Sequence, residues 1–547
     1  MSSLSPGVSA RMPWRAVLEH PLVVALVLLA PAVFLLPPLP IDETRYLAVA
    51  WEMRQGGDFL VPHLNGAPYA QKPPMLFWLI NLGWAASGVH AWSARAVTLA
   101  CSFASLVLMH RLALRLGVSQ VGARFATWLL PGTLYFAVFA NAIMFDVPLA
   151  TCVLLGVLGL CDLADGRTRR GIAMAGIAMG AGILVKGPVM LLDIAFVALT
   201  APWWHPTGLA GRRGRFFAAC LLAVLVGLLI VLAWAIPAAV SGGEDYARAI
   251  FLNQTLDRIE GTAGTGAHAR PVWWYLAVLL PLLLPWPLAL GGSRAGLRRI
   301  AAEPAMRFAL GWFVPTFVVF SLMSGKQAHY LLPLFPAIAL LIGVALAHGA
   351  LVVRSAPYAW LLLAAGLLLV AVPWLAPRHV HGNAAIAIGG GVAILLIGMV
   401  LLLADRGRRH PAGAAIATLL LVTVAKFAIS HGPETRYDVH PIADAIRAAQ
   451  ERGQPVASLG SHHGVYEFAG RLTRPIPVLH GEEAIRAWAS EHPDGLLAGF
   501  SGNYRIGATP VFTQPFRGST ADLWHARDAL AFGIAPELPP NAAFEGD

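Results

Sequence analysis

Charged residues are scarce in this chain of 547 residues. Only 12% of them are Asp, Glu, Lys or Arg, whereas 57% are hydrophobic and the mean hydropathy is +0.66. Soluble globular domains contain about 25% charged residues. This composition therefore excludes an ordinary soluble protein of this length and predicts a polytopic membrane protein.

Cysteines and acidic residues are also few. The four cysteines all lie inside apolar runs, which excludes a spaced disulfide or metal-binding framework and favours buried packing residues. Lys and Arg outnumber Asp and Glu by 39 to 29. The arginines form short clusters between apolar runs, a pattern that indicates membrane topology and no nucleic-acid partner.

A small-residue cleavage site is missing after the first apolar run, at about residues 21–36. We therefore expect this run to be retained as the first transmembrane helix, although it resembles a signal peptide. The chain also lacks an internal repeat, a collagen-like tract and a heptad pattern. It is predicted to form a transmembrane domain at 1–431 and a separate C-terminal domain at 432–547.

Apolar runs of about twenty residues predict about thirteen transmembrane helices. Arginine clusters occur in every second connection, which places the N-terminus in the cytoplasm by the positive-inside rule. The odd number of spans then places the C-terminal domain on the outer face. The predicted helices begin near residues 21, 92, 124, 143, 171, 189, 216, 273, 308, 331, 357, 384 and 411.

The C-terminal domain differs in composition, being polar with frequent Pro and Gly. The segment "HPIADAIRAAQERG" predicts a helix that begins near Pro441 and ends near Gly453. The segments "PVASLG", "PIPVL" and "GLLAGFS" are typical of short strands. Together they predict a small α/β domain.

The first outer loop, at about 39–91, opens with "IDETRY". Asp42 is placed to begin a short amphipathic helix that ends at Gly56. Lys72 precedes "PPMLFWLINLGWAASG", which is too short to span and predicts an interfacial helix. One interpretation is structural: Asp42 caps the helix, Arg45 pairs with Asp42 or Glu43, and Lys72 reaches the headgroups. We favour the other interpretation, in which a carboxylate and two cations form a binding site for a lipid headgroup at the outer rim of the membrane.

Further polar residues lie at the outer ends of apolar runs. Asp146 in "NAIMFDVPLA" either caps a helix or faces the bundle interior, because an acid in lipid is costly. Lys186 in "LVKGPVM" either binds an anion or caps the preceding carbonyl groups. The segment "SGKQAHYLLP" places Lys326, His329 and Tyr330 together, a cluster that suits a phosphate.

The segment "GTAGTGAHARPVWWYL" combines a Gly-rich stretch with two cationic residues and three aromatics. The aromatics at 273–275 are typical of an interfacial belt that anchors the chain in the membrane. His268 and Arg270 are candidate site residues whose roles the pattern leaves open.

Taken together, "IDETRY", "GDFLVPHLNGAPYAQKPPMLFWL", "FDVPLA", "LVKGP", "HARPVWWYL" and "KQAHYLLPLFPAIAL" resemble one known group over nearly the whole chain. The chain is similar to the bacterial GT-C class lipid-linked-sugar glycosyltransferases, especially the lipid A aminoarabinose transferases and their protein O-mannosyltransferase relatives. Each motif alone is a weak signal. Their order along the chain and their common location on the outer face make the resemblance specific.

The resemblance implies a fold and an activity. The fold is a GT-C membrane domain of thirteen helices with interfacial helices in its first loop and a periplasmic C-terminal domain, in the bacterial inner membrane. The activity is inverting sugar transfer from a polyprenyl (undecaprenyl) phosphate carrier, most simply of 4-amino-4-deoxy-L-arabinose or a related sugar to lipid A. Transfer of another sugar to protein or another glycan is the alternative, and a lipid-linked substrate transporter is the rival of a different class.

The resemblance also implies roles for individual residues. Asp42 would be the first-loop acid near the reacting centre and Asp146 the second acid. Arg45, Lys72 and the cations of "KQAHY" would hold the donor phosphate.

Two departures from the family pattern bear on cofactor and substrate. Gln71 stands where the aminoarabinose transferases typically have Glu, and a glutamine is a poor metal ligand. The argument from the donor chemistry requires no metal. A divalent ion held there with His268 is the open alternative, against which Gln71 argues. The form "SGKQAHYLLP", in place of the common Lys-Leu-Pro-Thr-Tyr version, bears on donor or acceptor identity.

The donor chemistry explains why cations should outnumber acids at such a site. The leaving phosphate is already ionised, so cations need only offset its growing charge. Arg45, Lys72, Lys326 and Lys186 are the candidates for that role. A hydroxyl acceptor would need a base, for which Asp42 is the first candidate, whereas a phosphate acceptor would leave Asp42 to orient the sugar or stabilise its developing charge.

Overall fold

The computed structural model describes residues 20–253, 269–375, 383–404, 410–431, 437–500 and 504–536. Its first half consists of helices joined by short turns, with one small hairpin. A 3-10 turn at Pro31–Phe34 follows the first helix, and the π-helical turn Ala249–Asn253 follows the longest one. The other elements are α1 (Pro21–Leu29), α2 (Asp42–Gly56), β1 (His63–Leu64), β2 (Ala67–Pro68), α3 (Met75–Ser87), α4 (Ala91–Arg115), α5 (Gln120–Leu129), α6 (Leu134–Phe139), α7 (Asp146–Ala164), α8 (Thr168–Lys186), α9 (Val189–Leu199), α10 (Ala201–Trp204) and α11 (Arg213–Arg248).

The second half of the membrane part continues in the same way. A 3-10 segment at Ala328–Leu334 leads directly into a helix of the bundle. The remaining elements are α12 (Trp274–Leu282), α13 (Trp286–Ala289), β3 (Leu290–Gly292), α14 (Arg294–Ile300), α15 (Pro304–Leu322), α16 (Phe335–Ala347), β4 (Leu351–Val353), α17 (Ala356–Leu375), α18 (Ala384–Ala404) and α19 (Ala412–His431).

Eight helical stretches of the described chain are long and apolar enough to cross a membrane. They are α4, α7, α11, α15, the 3-10 segment with α16, α17, α18 and α19, and the shorter apolar helices are α1 with its 3-10 turn, α3 and α9. The chain is thus a multi-span helical membrane protein, as predicted. The count of thirteen is not confirmed, because α5 has only ten residues and α12 only nine. Hydropathy alone does not reveal such interruptions.

The helices of the first loop agree with the sequence prediction. Helix α2 begins at Asp42 and ends where Gly57 adopts a left-handed conformation with φ of 69°. Helix α3 follows two prolines and has 13 residues, too few to span. The predicted amphipathic character of α2 is wrong, because nine of its 15 residues are buried, on more than one face.

The C-terminal part is an α/β unit, here called the C-terminal unit (residues 437–500 and 504–536). Its elements are α20 (His440–Glu451), β5 (Val456–Leu459), α21 (Glu467–Gly470), β6 (Val478–Leu479), α22 (Gly481–Glu491), β7 (Leu496–Phe500), β8 (Tyr504–Ile506), β9 (Phe512–Phe516), β10 (Ser519–His525), α23 (Ala526–Phe532) and β11 (Ile534–Pro536).

The sheet of the C-terminal unit has the order β6-β5-β7-β10-β9, in which β5 is parallel to β6 and β7 while β10 is antiparallel to β7 and β9. The predicted helix and three predicted strands are confirmed as α20, β5, β6 and β7. Residues 432–436 lie outside the described part, so the domain boundary stays a prediction.

The C-terminal unit packs directly on the first loop. The Asn65 side chain donates a hydrogen bond to the carbonyl of Ile476 (2.8 Å) and accepts one from its N–H (2.7 Å). The indole N–H of Trp51 on α2 donates to the carbonyl of Leu472 at 2.8 Å. This packing buries the second face of α2 and fixes the loop that carries Asp42 and Lys72.

Candidate active site

Asp42 lies at the start of α2 with its side chain 45% exposed. The Tyr46 hydroxyl donates a hydrogen bond to Asp42 Oδ1 at 3.1 Å, and Arg45 Nη2 lies 3.6 Å from the same oxygen. The three side chains share one face of the helix because they are three and four residues apart. The carboxylate is therefore oriented by two neighbours while remaining open to a substrate.

Unused hydrogen-bond donors lie beside this carboxylate. Arg45 Nε and the Tyr69 hydroxyl are both buried. The phenol oxygen of Tyr69 interacts with the Arg45 guanidinium, but the Tyr69 O–H and the Arg45 Nε–H have no acceptor among the residues that the structure describes. Burial raises the pKa of Tyr69 to about 12, so the hydroxyl keeps its proton at neutral pH. Buried donors are normally satisfied. The pair Arg45 and Tyr69 therefore suits an incoming anionic oxygen.

Two further predicted residues meet inside the bundle. Asp146 begins α7 and Lys186 ends α8; they are 1% and 8% exposed and form an ion pair between Lys186 Nζ and Asp146 Oδ1. Lys186 Nζ also lies 4.5 Å from the centroid of the Tyr330 ring, a cation–π contact. Neither residue is merely a helix cap, since each has a specific partner on another element.

The first loop and the bundle converge on His329. This residue lies in the 3-10 segment, within electrostatic reach of Asp42, Lys72, Asp146 and Lys186. Its ring also packs edge-on against Tyr330, with centroids 4.8 Å apart. Acids and cations from four separate parts of the chain thus act electrostatically on one residue.

Lys326 is the predicted phosphate ligand whose contacts favour another role. It is only 2% exposed, and its ammonium donates to the carbonyls of Arg270 (2.8 Å) and Met323. These bonds join the segment before α12 to the end of α15, next to the bridge between Ala269 and Gly325. With its ammonium bound to two backbone carbonyls, Lys326 links the segment before α12 to the segment that leads to His329.

Glu43, the acid that follows Asp42 in "IDETRY", is a further candidate site residue from the sequence, and its contacts favour a structural role. Its side chain is 6% exposed and forms an ion pair with Arg95. It accepts hydrogen bonds from the backbone N–H groups of Leu39 and Ile143, both at 2.9 Å. Glu43 therefore connects α2 to α4 and to the turn before α7. These contacts fix the start of α2 and with it the position of Asp42.

Gln71, His268 and Arg270 are the predicted residues that bear on a metal site. Gln71 is exposed beside Lys72, and Arg270 is exposed apart from its backbone contacts. His268 lies outside the described residues. Within the described part of the chain, no group of three or more His, Cys, Asp or Glu side chains is arranged to hold a metal ion.

Some residues of the site were missed by the sequence analysis. Tyr46 could have been found, since it lies one helical turn after Asp42. Asp193, fully buried on α9 with both carboxylate oxygens unpartnered in the described chain, had a signal in being an acid within an apolar run. His463 acts electrostatically with Arg45, and only the folding of the C-terminal unit onto α2 brings them together.

Comparison with known protein sequences reveals a family. The family described as dolichyl-phosphate-mannose-protein mannosyltransferase matches residues 38–241. A Pseudomonas fluorescens protein named undecaprenyl phosphate-alpha-4-amino-4-deoxy-L-arabinose arabinosyl transferase 1 is 30% identical over 479 residues, 84% of this chain and 85% of that protein. A Pseudomonas paraeruginosa transferase of the same description is 32% identical over 334 residues, 59% of each chain.

Solved structures share the fold. The crystal structure of ArnT from Cupriavidus metallidurans bound to undecaprenyl phosphate superimposes with a TM-score of 0.72 at 20% identity, covering 94% of this chain and 98% of that one. The apo form gives 0.71 at 19% identity over 95% and 98%. The predicted GT-C type fold is confirmed by this likeness.

Proposed function

This chain belongs to the family of undecaprenyl phosphate-alpha-4-amino-4-deoxy-L-arabinose arabinosyl transferases, and from that premise we propose that it moves a sugar from undecaprenyl phosphate to a membrane acceptor. The observation that carries the proposal is the buried ion pair of Lys186 with Asp146 beside Tyr330. Together with Asp42 and Lys72, this pair acts electrostatically on His329. A site that handles a phosphate leaving group needs clustered cations with at least one acid beside them.

The donor phosphate binds between the first loop and the bundle. Arg45 and Tyr69 offer buried N–H and O–H donors without partners in the described chain, and Lys72 adds a positive charge within reach of the same centre. Charge-assisted hydrogen bonds to a phosphate are about twice as strong as neutral ones. Lys186 contributes through its electrostatic field, because its ammonium is already bound to Asp146.

In the reaction, an acceptor oxygen attacks the anomeric carbon from the side opposite the phosphate. The bond from this carbon to the phosphate oxygen breaks, its electron pair leaves with the phosphate, and the anomeric centre inverts. A hydroxyl acceptor gives its proton to Asp42, whose exposed carboxylate is held by Tyr46. A phosphate acceptor has no proton to lose, and Asp42 then orients the sugar.

The orientation in the membrane is part of the proposal. Asp162, near the other end of α7, lies within 3.3 Å of Arg115, Arg167 and Arg170. It is about 24 Å along the helix from Asp146 at a rise of 1.5 Å per residue. The arginine-rich end suits the cytoplasm. This supports a periplasmic location for the site and the C-terminal unit, in a chain of the bacterial inner membrane.

We propose 4-amino-4-deoxy-L-arabinose as the sugar and lipid A as the acceptor. The sugar is the one in the names of the relatives, and the lipid A acceptor is what the resemblance of the motifs implies. A bacterium that lacks the gene should lose the added aminoarabinose from lipid A, as measured by mass spectrometry. Loss of a sugar from a protein or another glycan instead would reassign the acceptor.

The Asp42→Asn variant tests the site itself. The change keeps an acceptor for the Tyr46 hydroxyl and removes only the charge, so the protein should insert normally while transfer falls by about 10²–10⁴-fold. Asp494→Asn, at a side chain 94% exposed in the C-terminal unit, is the matched control and should retain full transfer. Near-normal turnover by Asp42→Asn would remove this residue from the catalytic role.

A further inference from the structure

A cavity lies where the end of the first helix and the start of α4 meet the C-terminal unit. It has a volume of about 320 Å³. None of its lining residues, all in the described part of the chain, is acidic. They are Val33, Phe34, Leu36, Pro37, Pro38, His90, Ala91, Trp92, Arg95, His440, Phe468 and Arg471.

Arg471 is the cation of this cavity that has no counter-charge. Its guanidinium lies 3.8 Å from the centroid of Phe468 and 5.5 Å from that of Trp51. Its hydrogen bonds go to the carbonyls of Val89 and Phe468. No carboxylate among the described residues lies within ion-pair distance, so the charge is half-buried and unbalanced. An arginine flanked in this way retains donors for an anion.

The other basic side chains of the cavity that have an acidic neighbour are Arg95 and His440. Arg95 is paired with Glu43 on α2, and His440 Nδ1 lies 2.6 Å from Asp438. The net positive charge of the cavity therefore belongs to Arg471.

The open side of the cavity is aromatic. Phe34 is 68% exposed, its ring centroid is 5.5 Å from that of Trp92, and His90 stacks on Trp92 at 5.7 Å. These residues lie where the first apolar helix ends and the membrane-spanning α4 begins. This is the level of the membrane interface, where aromatic side chains contact headgroups and the upper acyl chains.

We propose that this cavity binds the phosphate headgroup of an anionic phospholipid from the leaflet on the side of the C-terminal unit. The guanidinium of Arg471 holds the phosphate, and the acyl chains run along Phe34 and Trp92. None of the lining residues belongs to the proposed transfer site, so the lipid is distinct from the donor. Since Arg471 lies in the C-terminal unit and Phe34 in the membrane part, the lipid joins the two.

Native mass spectrometry of the full-length protein with added phosphatidylglycerol tests this proposal. The tightest bound equivalent should be at least about tenfold weaker in Arg471→Gln, because a charge-assisted pair is lost. Arg452→Gln removes the same charge from an exposed position on the same unit and should bind like the wild type. Phe34→Ala, a truncation at an exposed site, should also weaken phosphatidylglycerol binding. It replaces Arg471→Gln as the test if that variant fails to fold.

Two ligand controls identify the source of the phosphate. Phosphatidylcholine, which carries no net charge, should bind the site at least about tenfold more weakly, and inorganic phosphate should not displace phosphatidylglycerol. Equal binding of phosphatidylglycerol by Phe34→Ala, Arg471→Gln and the wild type would overturn the proposal. Displacement by inorganic phosphate alone would overturn it too, since the cavity would then be a site for a free ion.

Discussion

The ion pair between Asp146 and Lys186 gives the sharpest prediction, because both side chains are almost fully buried. Removing one partner leaves the other charge without compensation, which costs about 3–5 kcal/mol for a buried pair. Lys186→Met should reach the upper part of that range, since Asp193 adds a second carboxyl group nearby and the contact with Tyr330 is also lost. Removing both charges together leaves no buried charge without a partner.

The double variant Asp146→Asn/Lys186→Met should therefore be less destabilised than either single variant. The measurement is the free energy of unfolding in mixed micelles titrated with SDS, followed by tryptophan fluorescence, for all four proteins of the cycle. Sugar transfer in the same preparations should remain lost in the double variant, because the electrostatic contribution of Lys186 to the leaving phosphate is worth about 10²–10³-fold in rate.

The opposite pattern would refute this reasoning. If the destabilisation of the double variant equals the sum of the two single changes, the side chains do not compensate each other and the buried pair described above does not exist in the membrane. If the double variant regains transfer together with stability, the pair is structural and plays no part in handling the donor.

Three further predictions concern the first loop and the C-terminal unit. Burial raises the pKa of Glu467 to about 7 from an ordinary 4.5, so its stabilising contribution is present below pH 4.5 and is lost as the pH rises through 7. Glu467→Gln should therefore gain about 3 kcal/mol of unfolding free energy relative to the wild type between pH 4.5 and 8, measured by chemical denaturation at each pH. Asn65→Gly keeps the positive φ of 53° but loses two hydrogen bonds to the C-terminal unit, which should cost about 2 kcal/mol and accelerate hydrogen exchange across the contact; unchanged exchange would count against this docking. Tyr69→Phe should raise the donor KM about tenfold with little change in stability, because it removes an unpartnered hydroxyl donor worth about 1–2 kcal/mol to an anion. Tyr466→Phe, which removes another buried hydroxyl without a partner in the described chain, should leave the donor KM unchanged.

Local features of this chain could be predicted from its sequence. The bounds of α2 follow from an acid at its start and two glycines at its end, and the helix and strands of the C-terminal unit follow from their patterns. The candidate residues Asp42, Lys72, Asp146 and Lys186 were recognised because polar side chains stand out at the ends of apolar runs. These signals act over a few residues, which is the range over which propensity and capping operate.

Long-range pairing could not be predicted. The ion pairs of Lys186 with Asp146 and of Arg95 with Glu43 join residues 40 and 52 positions apart, and no local pattern selects one partner over another. The same holds for the burial of α2, which depends on a unit more than 400 residues away. Helix length was overestimated at α5 and α12, because hydropathy continues through turns that end a helix.

Helix α7 has a further consequence for the physiology of the membrane. With the buried Asp146 at one end and the arginine-bound Asp162 at the other, it fixes the distance between the proposed transfer site and the arginine cluster at about 24 Å along the helix. The height at which a carrier lipid must present its headgroup is then set by the protein and not by the bilayer. A cell that changes its acyl-chain length to adapt to temperature thereby alters how readily the carrier reaches that height.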